Sequence, residues 1–243
     1  MNYFKSTILF ALFCFLFSCS GVEEPIINSD SKNIIMPLGA SRVEGARPDF
    51  ESYRYELWKL LVENETDFDF VGTNIDEAQY VDYLGISFDK DHEGWSGLTS
   101  GEIKRKLDNW LNQIQSPDIV LFSSPGGNDA LMNRSYDKAI ENIQEIIDLF
   151  QANNPNVTII VESMAPGKTE IMEEPLSSFF NNMQQDIYTI AENKSTSNSQ
   201  ILVVDMASGF GDEHLADDMH YNEKGAKLIA ERYFQLLQGV LVK

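Results

Sequence analysis

The sequence predicts an α/β domain of three layers, a five-stranded parallel sheet of strand order 2-1-3-4-5 with helices on both faces. Short apolar runs alternate five times with longer amphipathic stretches. That rhythm marks βα units, in which a crossover helix returns the chain to begin the next parallel strand. One pass of such units, without internal repeat, fills residues 34–243 as a single domain.

The first strand is the apolar run 34–38, Ile34-Ile35-Met36-Pro37-Leu38, followed by a helix-like stretch at 50–62. The second strand is 68–71, and after a loop a helix spans 100–114, with Ile103, Leu107, Trp110, Leu111 and Ile114 on one face. Strand three is 119–123, and the helix at 136–152 aligns Ile140, Ile143, Ile147 and Phe150. Strand four is 157–161, and residues 171–191 read as a helix broken near Pro175. Strand five is 201–204, and the closing helix at 223–237 turns Ala226, Ile229, Ala230, Phe234 and Leu237 inward.

Residues 1–18 hold one lysine, Lys5, and an apolar run from Ile8 to Phe17, too short to span a bilayer and typical of a signal peptide. The run ends Leu16-Phe17-Ser18-Cys19, which resembles the bacterial lipobox. That resemblance implies a mature chain beginning at a lipidated Cys19, exported and anchored to a membrane, in the periplasm or at the cell surface. The polar residues 20–33 that follow read as a flexible tether. Cys14, the other cysteine, falls in the removed segment, so neither a disulfide nor a cysteine metal site is available. A formal net charge of −20 repels phosphate backbones and excludes nucleic acid as a partner. The same charge keeps an exported domain soluble.

In a flavodoxin-like strand order, ligands bind beyond the carboxyl ends of the central strands. Four short motifs occupy those loops: Gly39-Ala40-Ser41 after the first strand, Gly94-Trp95-Ser96-Gly97 after the second, Gly126-Gly127-Asn128-Asp129 after the third and Asp217-Asp218-Met219-His220 after the fifth. Each motif alone is weak, since serines after strands cap helices and asparagines make turns. Together they supply what acyl transfer needs, a serine nucleophile, a base and donors for an oxyanion. No G-x-S-x-G, Walker loop, H-E-x-x-H or G-x-G-x-x-G is present.

In order and spacing the four motifs resemble the four sequence blocks of the SGNH (GDSL-like) hydrolases, across the whole chain after the tether. The stretches Ile35-Met36-Pro37-Leu38-Gly39, Phe68-Asp69-Phe70-Val71-Gly72 and Asp91-His92-Glu93-Gly94 are more particularly similar to the acetyl xylan esterase branch, carbohydrate esterase family 3. The resemblance implies an SGNH hydrolase fold and a catalytic triad of Ser41, Asp217 and His220. It further implies an oxyanion hole made by the Ser41 and Gly97 amides and the Asn128 side chain. No cofactor and no metal is required. The implied activity is hydrolysis of short, acetyl-like acyl esters on polysaccharides through an acyl-enzyme on Ser41. The alternatives are a lipase, lysophospholipase or thioesterase and, outside enzymes, a non-catalytic glycan-binding surface lipoprotein.

The sequence departs from the family pattern at Ala40, where an aspartate usually precedes the serine, and at Arg42, where an apolar residue is usual. Ala40 removes no group that attacks, moves a proton or holds the oxyanion. Arg42 either recognises an anionic substrate group or, the favoured reading, pairs with Glu44 and Asp49. Trp95 either stacks on a sugar ring or walls its loop. A second D-x-x-H at Asp89 to His92 makes His92 a rival to His220 and a candidate to line the crevice beside Gly97. His214 reads as a surface residue, and the acids around it reflect a chain rich in loop carboxylates rather than a metal site.

Overall fold

The computed structural model describes residues 32–242; the signal segment, Cys19 and most of the tether lie outside the described residues. At the centre stands β1 (Ile34–Gly39), buried throughout. On one side it pairs in parallel with β5 (Ile119–Phe122), which pairs with β6 (Thr158–Ser163), which pairs with β7 (Ile201–Asp205). On its other side β1 meets two short strands in one lane, β2 (Asp69–Phe70) beside its start and β4 (Asp91–Gly94) beside its end. A two-residue β3 (Asn74–Ile75) runs antiparallel to β4 at the sheet edge. The predicted order 2-1-3-4-5 therefore holds, with its second lane split between β2 and β4.

The split has a physical cause at Gly72, where an added Cβ would lie 2.0 Å from the His92 backbone. The chain leaves the lane there, and β4 enters it. Asp91-His92-Glu93-Gly94 reads as a polar loop, yet all four residues are buried. Internal partners make that tolerable: Glu93 accepts from the Thr73 amide and hydroxyl at 2.9 Å each, and His92 Nδ1 accepts from the Gly94 amide at 3.0 Å.

Alternate residues of the strands feed two cores, as a pleated sheet covered on both faces requires. Met36, Leu38, Val120 and Phe122 face α3 (Ser100–Leu111), α5 (Tyr136–Asn153) and α6 (Leu176–Lys194). Ile35, Leu121 and Ile160 face α2 (Arg54–Glu63) and α7 (Glu223–Leu237). Two short helices escape the periodicity argument because they span barely a turn, α1 (Ser41–Glu44) and α4 (Gly127–Leu131). The predicted helix at 50–62 begins only at Arg54, so Phe50 stands in a loop. Pro175 precedes α6 rather than kinking it. Asn33, assigned to the tether, is buried instead: its side chain donates to Asp67 O at 2.7 Å and Val242 O at 3.0 Å, tying both ends of the domain together.

Arg54 is fully buried at the start of α2. It donates to the carbonyls of Val43 at 2.6 Å and Glu44 at 2.9 Å, the last residues of α1, and to Asp76 at 2.6 Å. Removing one member of a buried ion pair leaves an uncompensated charge, at a cost of about 3–5 kcal/mol. Arg54→Met is therefore expected to lower the urea-unfolding free energy by about that amount. A loss below about 1 kcal/mol, in the range of exposed pairs, would contradict this account.

Candidate active site

Ser41 opens α1 immediately after β1, and His220 sits in the loop before α7. Asn222 caps that helix by accepting from the Lys224 and Gly225 amides at 2.9 and 3.1 Å, which fixes where the loop must end. The Ser41 Oγ lies 2.9 Å from His220 Nε2, and His220 Nδ1 lies 2.7 Å from Asp217 Oδ2. The other Asp217 oxygen accepts the amides of Met219 and His220 at 2.9 and 2.8 Å. Partial burial pushes the Asp217 carboxyl up, but these amides and the imidazole outweigh it and hold the carboxyl below its usual range. The Phe50 ring stacks on the imidazole with centroids 3.9 Å apart and planes 15° from parallel. A stacked ring on one face and a carboxylate on one nitrogen leave the imidazole a single orientation toward the serine.

The second loop reaches the same place through β4. Gly97 adopts the left-handed region at φ 79°, with nothing within 4 Å of an added Cβ, so conformation rather than crowding selects glycine here. Its loop is held by Glu44, whose carboxylate accepts the Ser96 amide at 2.7 Å. Among the described residues neither the Gly97 nor the Ser41 amide has an acceptor. Asn128, in α4, donates one amide hydrogen to Leu98 O at 2.9 Å. That bond fixes the side chain and leaves its second N–H for the crevice it lines. Asp129, buried beside it, accepts the Ser100 amide at 2.7 Å and hydroxyl at 2.9 Å, which locks the third motif to the start of α3.

Ser41, Gly97, Asn128 and His220 line one cavity of about 440 Å³, whose inner wall is apolar: Leu98, Ile103, Phe122 and Phe180. A hydroxyl bonded to an imidazole, an imidazole oriented by a carboxylate, and free donors nearby can together move a proton and stabilise a developing oxyanion.

Of the three predicted substrate contacts, two do not line the cavity and the third borders it with its donors engaged by protein. His92 is buried in β4, and desolvation, reinforced by the Arg54 charge, pushes its pKa well below the ordinary range. It borders a separate cleft with Asn74 and Asp76. Trp95 does not line the cavity; it stacks parallel to Trp110 with centroids 6.3 Å apart and donates its indole N–H to Glu93, so it walls the loop. Arg42 borders the cavity but pairs with neither Glu44 nor Asp49; its guanidinium is buried and spent on the Met219, Ala165 and Pro166 carbonyls and the Ser124 hydroxyl. Glu44 instead serves the Ser96 amide. Sequence reasoning missed Phe50, Glu44 and Asp129 as supports. Only Asp129 carried a signal, its place in the third motif.

Glu162, at the end of β6, is fully buried beneath the site. It accepts from Tyr233 Oη at 2.8 Å and the Ser124 amide at 2.7 Å. Burial raises its pKa above the ordinary carboxylate value, the hydrogen bonds only partly opposing it. A raised folded-state pKa means that folding holds the proton, so this contribution is present at low pH and lost as pH rises through the folded value. Glutamine can accept the Ser124 amide through its carbonyl and, with the Tyr233 hydroxyl turned to accept, donate its NH2 to Tyr233 Oη, without charge. Glu162→Gln should thus gain stability relative to the parent as pH rises above about 4.3, the ordinary glutamate value. Denaturant unfolding from pH 4.5 to pH 8 checks the sign, and a pH-independent difference would contradict it.

Comparison with known proteins places the geometry in a family. The GDSL-like Lipase/Acylhydrolase family profile matches residues 64–228, a stretch that holds Gly97, Asn128, Asp217 and His220 and begins after Ser41. An acetyl esterase variant determined with an acetate ion aligns at 26% identity and a TM-score of 0.74, over 86% of this chain and 97% of its own. A carbohydrate esterase family 3 protein from Talaromyces cellulolyticus aligns at 26% identity and 0.75, over 86% and 97%. A family 3 carbohydrate esterase from Clostridium thermocellum aligns at 30% identity and 0.68, over 86% and 99%. No curated protein sequence matches the chain. A parallel sheet with the serine at the end of its central strand, the family profile across most of the domain, and these esterase neighbours lead to one conclusion: the chain belongs to the GDSL-like lipase/acylhydrolase family and is a carboxylic ester hydrolase.

Proposed function

We propose that the chain is a serine esterase that removes short, acetyl-like acyl groups from the hydroxyls of a polysaccharide through an acyl-enzyme on Ser41. The observation that carries this reading is the continuous hydrogen-bonded chain Ser41–His220–Asp217 at the mouth of a cavity also lined by Gly97 and Asn128. Ser41 Oγ attacks the ester carbonyl as His220 Nε2 takes its proton, and Asp217 stabilises the resulting imidazolium. The oxyanion is held by the Ser41 and Gly97 amides and the Asn128 side chain, each donor contributing on the order of 3 kcal/mol of transition-state stabilisation. His220 returns the proton to the leaving alcohol, and water then repeats the sequence on the acyl-serine. The two carbohydrate esterase family 3 neighbours favour a sugar as the leaving group.

One observation favours a second reading. The apolar wall formed by Ile103, Phe122, Phe180 and Leu98 gives the cavity more room than an acetyl methyl needs, which suits a longer acyl chain and a lipase-like or thioesterase-like substrate. p-Nitrophenyl esters of rising chain length, supplied to the soluble domain, discriminate. On the first reading kcat/KM is highest for acetate and falls with length. On the second it climbs by about fourfold per added methylene until the cavity is full. Ser41→Ala should abolish both turnover and fluorophosphonate labelling with little change in melting temperature; a labelled Ser41→Ala protein would mean another nucleophile.

We also propose that the domain is held at a membrane by lipid on Cys19, from the Leu16-Phe17-Ser18-Cys19 sequence. Mass spectrometry of the mature protein should find a diacyl or triacyl modification on an N-terminal Cys19, and an unmodified N-terminus at any other position would end this proposal.

A further inference from the structure

Arg42 follows Ser41 directly in α1, and its side chain is 5% exposed. Its Nε donates to Met219 O at 2.8 Å, one Nη to Ala165 O at 2.7 Å and Ser124 Oγ at 3.3 Å, and the other Nη to Pro166 O at 2.9 Å. The guanidinium carbon lies over the Tyr221 ring, 4.9 Å from its centroid. Met219 and Tyr221 are the residues on either side of His220. One side chain, anchored beside the serine, therefore grips both neighbours of the histidine.

Burying a guanidinium is costly unless its donors are satisfied. Here oxygens from three other loops satisfy it, and no carboxylate forms an ion pair with it among the described residues. An apolar side chain would fill the space without that cost, so the donors themselves are what the position uses. The distance to be held is demanding. Ser41 and His220 are 179 residues apart in sequence, and their own hydrogen bond joins α1 to the same loop that Arg42 holds. Arg42 has little left for a substrate, since its donors already meet protein oxygens.

We propose that Arg42 is a positioning residue for acyl transfer: by holding the Met219 carbonyl and the Tyr221 ring, it keeps the His220 imidazole at hydrogen-bond distance from Ser41 Oγ. This role rests on the reading of Ser41 and His220 as nucleophile and base. It is a tie between two loops that carry the reacting atoms, and it acts through both at once.

The test compares Arg42→Met, which keeps an unbranched apolar stem and loses the donors, with Arg42→Lys and Arg42→Ala. The proposal expects Arg42→Met to lower kcat for p-nitrophenyl acetate by about 100-fold, the scale of a 1 Å misplacement, with KM nearly unchanged. Fluorophosphonate labelling of Ser41 should slow in the same proportion. Arg42→Lys should lose less, and millimolar methylguanidine should restore part of the labelling rate of Arg42→Ala. Parent-like kcat and labelling in Arg42→Met with a lowered melting temperature would make Arg42 purely structural and overturn the proposal. A raised KM with unchanged kcat would make it a substrate contact and overturn it equally. If Arg42→Met does not fold, Tyr221→Leu against Tyr221→Phe decides: slower labelling only when the ring is lost supports the proposal, and equal rates refute it. A parent chain that labels nowhere and hydrolyses no ester removes the nucleophile reading itself, an outcome distinct from a labelled parent with an indifferent Arg42.

Discussion

The site depends on the pairing of β1 with β4, where Leu38 meets Glu93 and Gly39 meets Gly94. That short parallel contact sets the end of the nucleophile strand beside the strand that delivers Gly97. It is possible only without side chains at the crossing, because a Cβ on Gly94 would come within 2.6 Å of the Glu44 amide. With the two backbones this close, the Glu44 carboxylate reaches the Ser96 amide and the loop carrying Gly97 is pinned to the turn carrying Ser41. Arg54 grips the other end of the same turn through the Val43 and Glu44 carbonyls.

The site thus has two tiers with different physics. At the rim, Asp217, His220 and Gly97 are at least partly accessible, as groups that exchange substrate and product must be. Below them lies a buried polar tier, Arg42, Arg54, Glu162 and Asp129, whose partners are mostly main-chain groups of the loops above. Buried polar groups that are fully partnered specify one arrangement, because any alternative strands a donor or a charge away from water. In this domain that tier transmits the rigidity of the sheet to residues held in loops. It also explains why an alanine can stand before the nucleophile: α1 is held from its far end by Arg54 and across the site by Arg42, so its start needs no side-chain cap.

The sheet order and the longer helices were legible because their causes are local. Buried parallel strands need continuous apolar runs, and helices that cover them need a 3.6-residue stripe. Ile119 to Phe122 and the Ile103, Leu107, Trp110, Leu111 face carry those patterns openly. The four loop motifs were legible for a related reason: each follows a strand end, where the fold class already places ligands. β4 was not legible, since its buried residues are aspartate, histidine, glutamate and glycine, made tolerable inside by partners that include Thr73 and Asn74 on the neighbouring segment.

The sequence alone determined the chemical inventory and its rough location: Ser41, Gly97, Asn128, Asp217 and His220 at the carboxyl edge of one sheet. Tertiary structure decided which polar residues face the cavity and which face the protein. Arg42, His92 and Trp95 are ordinary binding residues by type, and nothing in their spacing distinguishes a donor aimed at substrate from one aimed at a carbonyl. That choice shows in the protein groups each side chain meets: the Ala165 and Met219 carbonyls for Arg42, the Gly94 amide for His92 and Glu93 for Trp95. For Arg42 the hydrogen bonds are decided by where distant chain segments come to rest, since Met219 is 177 residues away in sequence and Ala165 123.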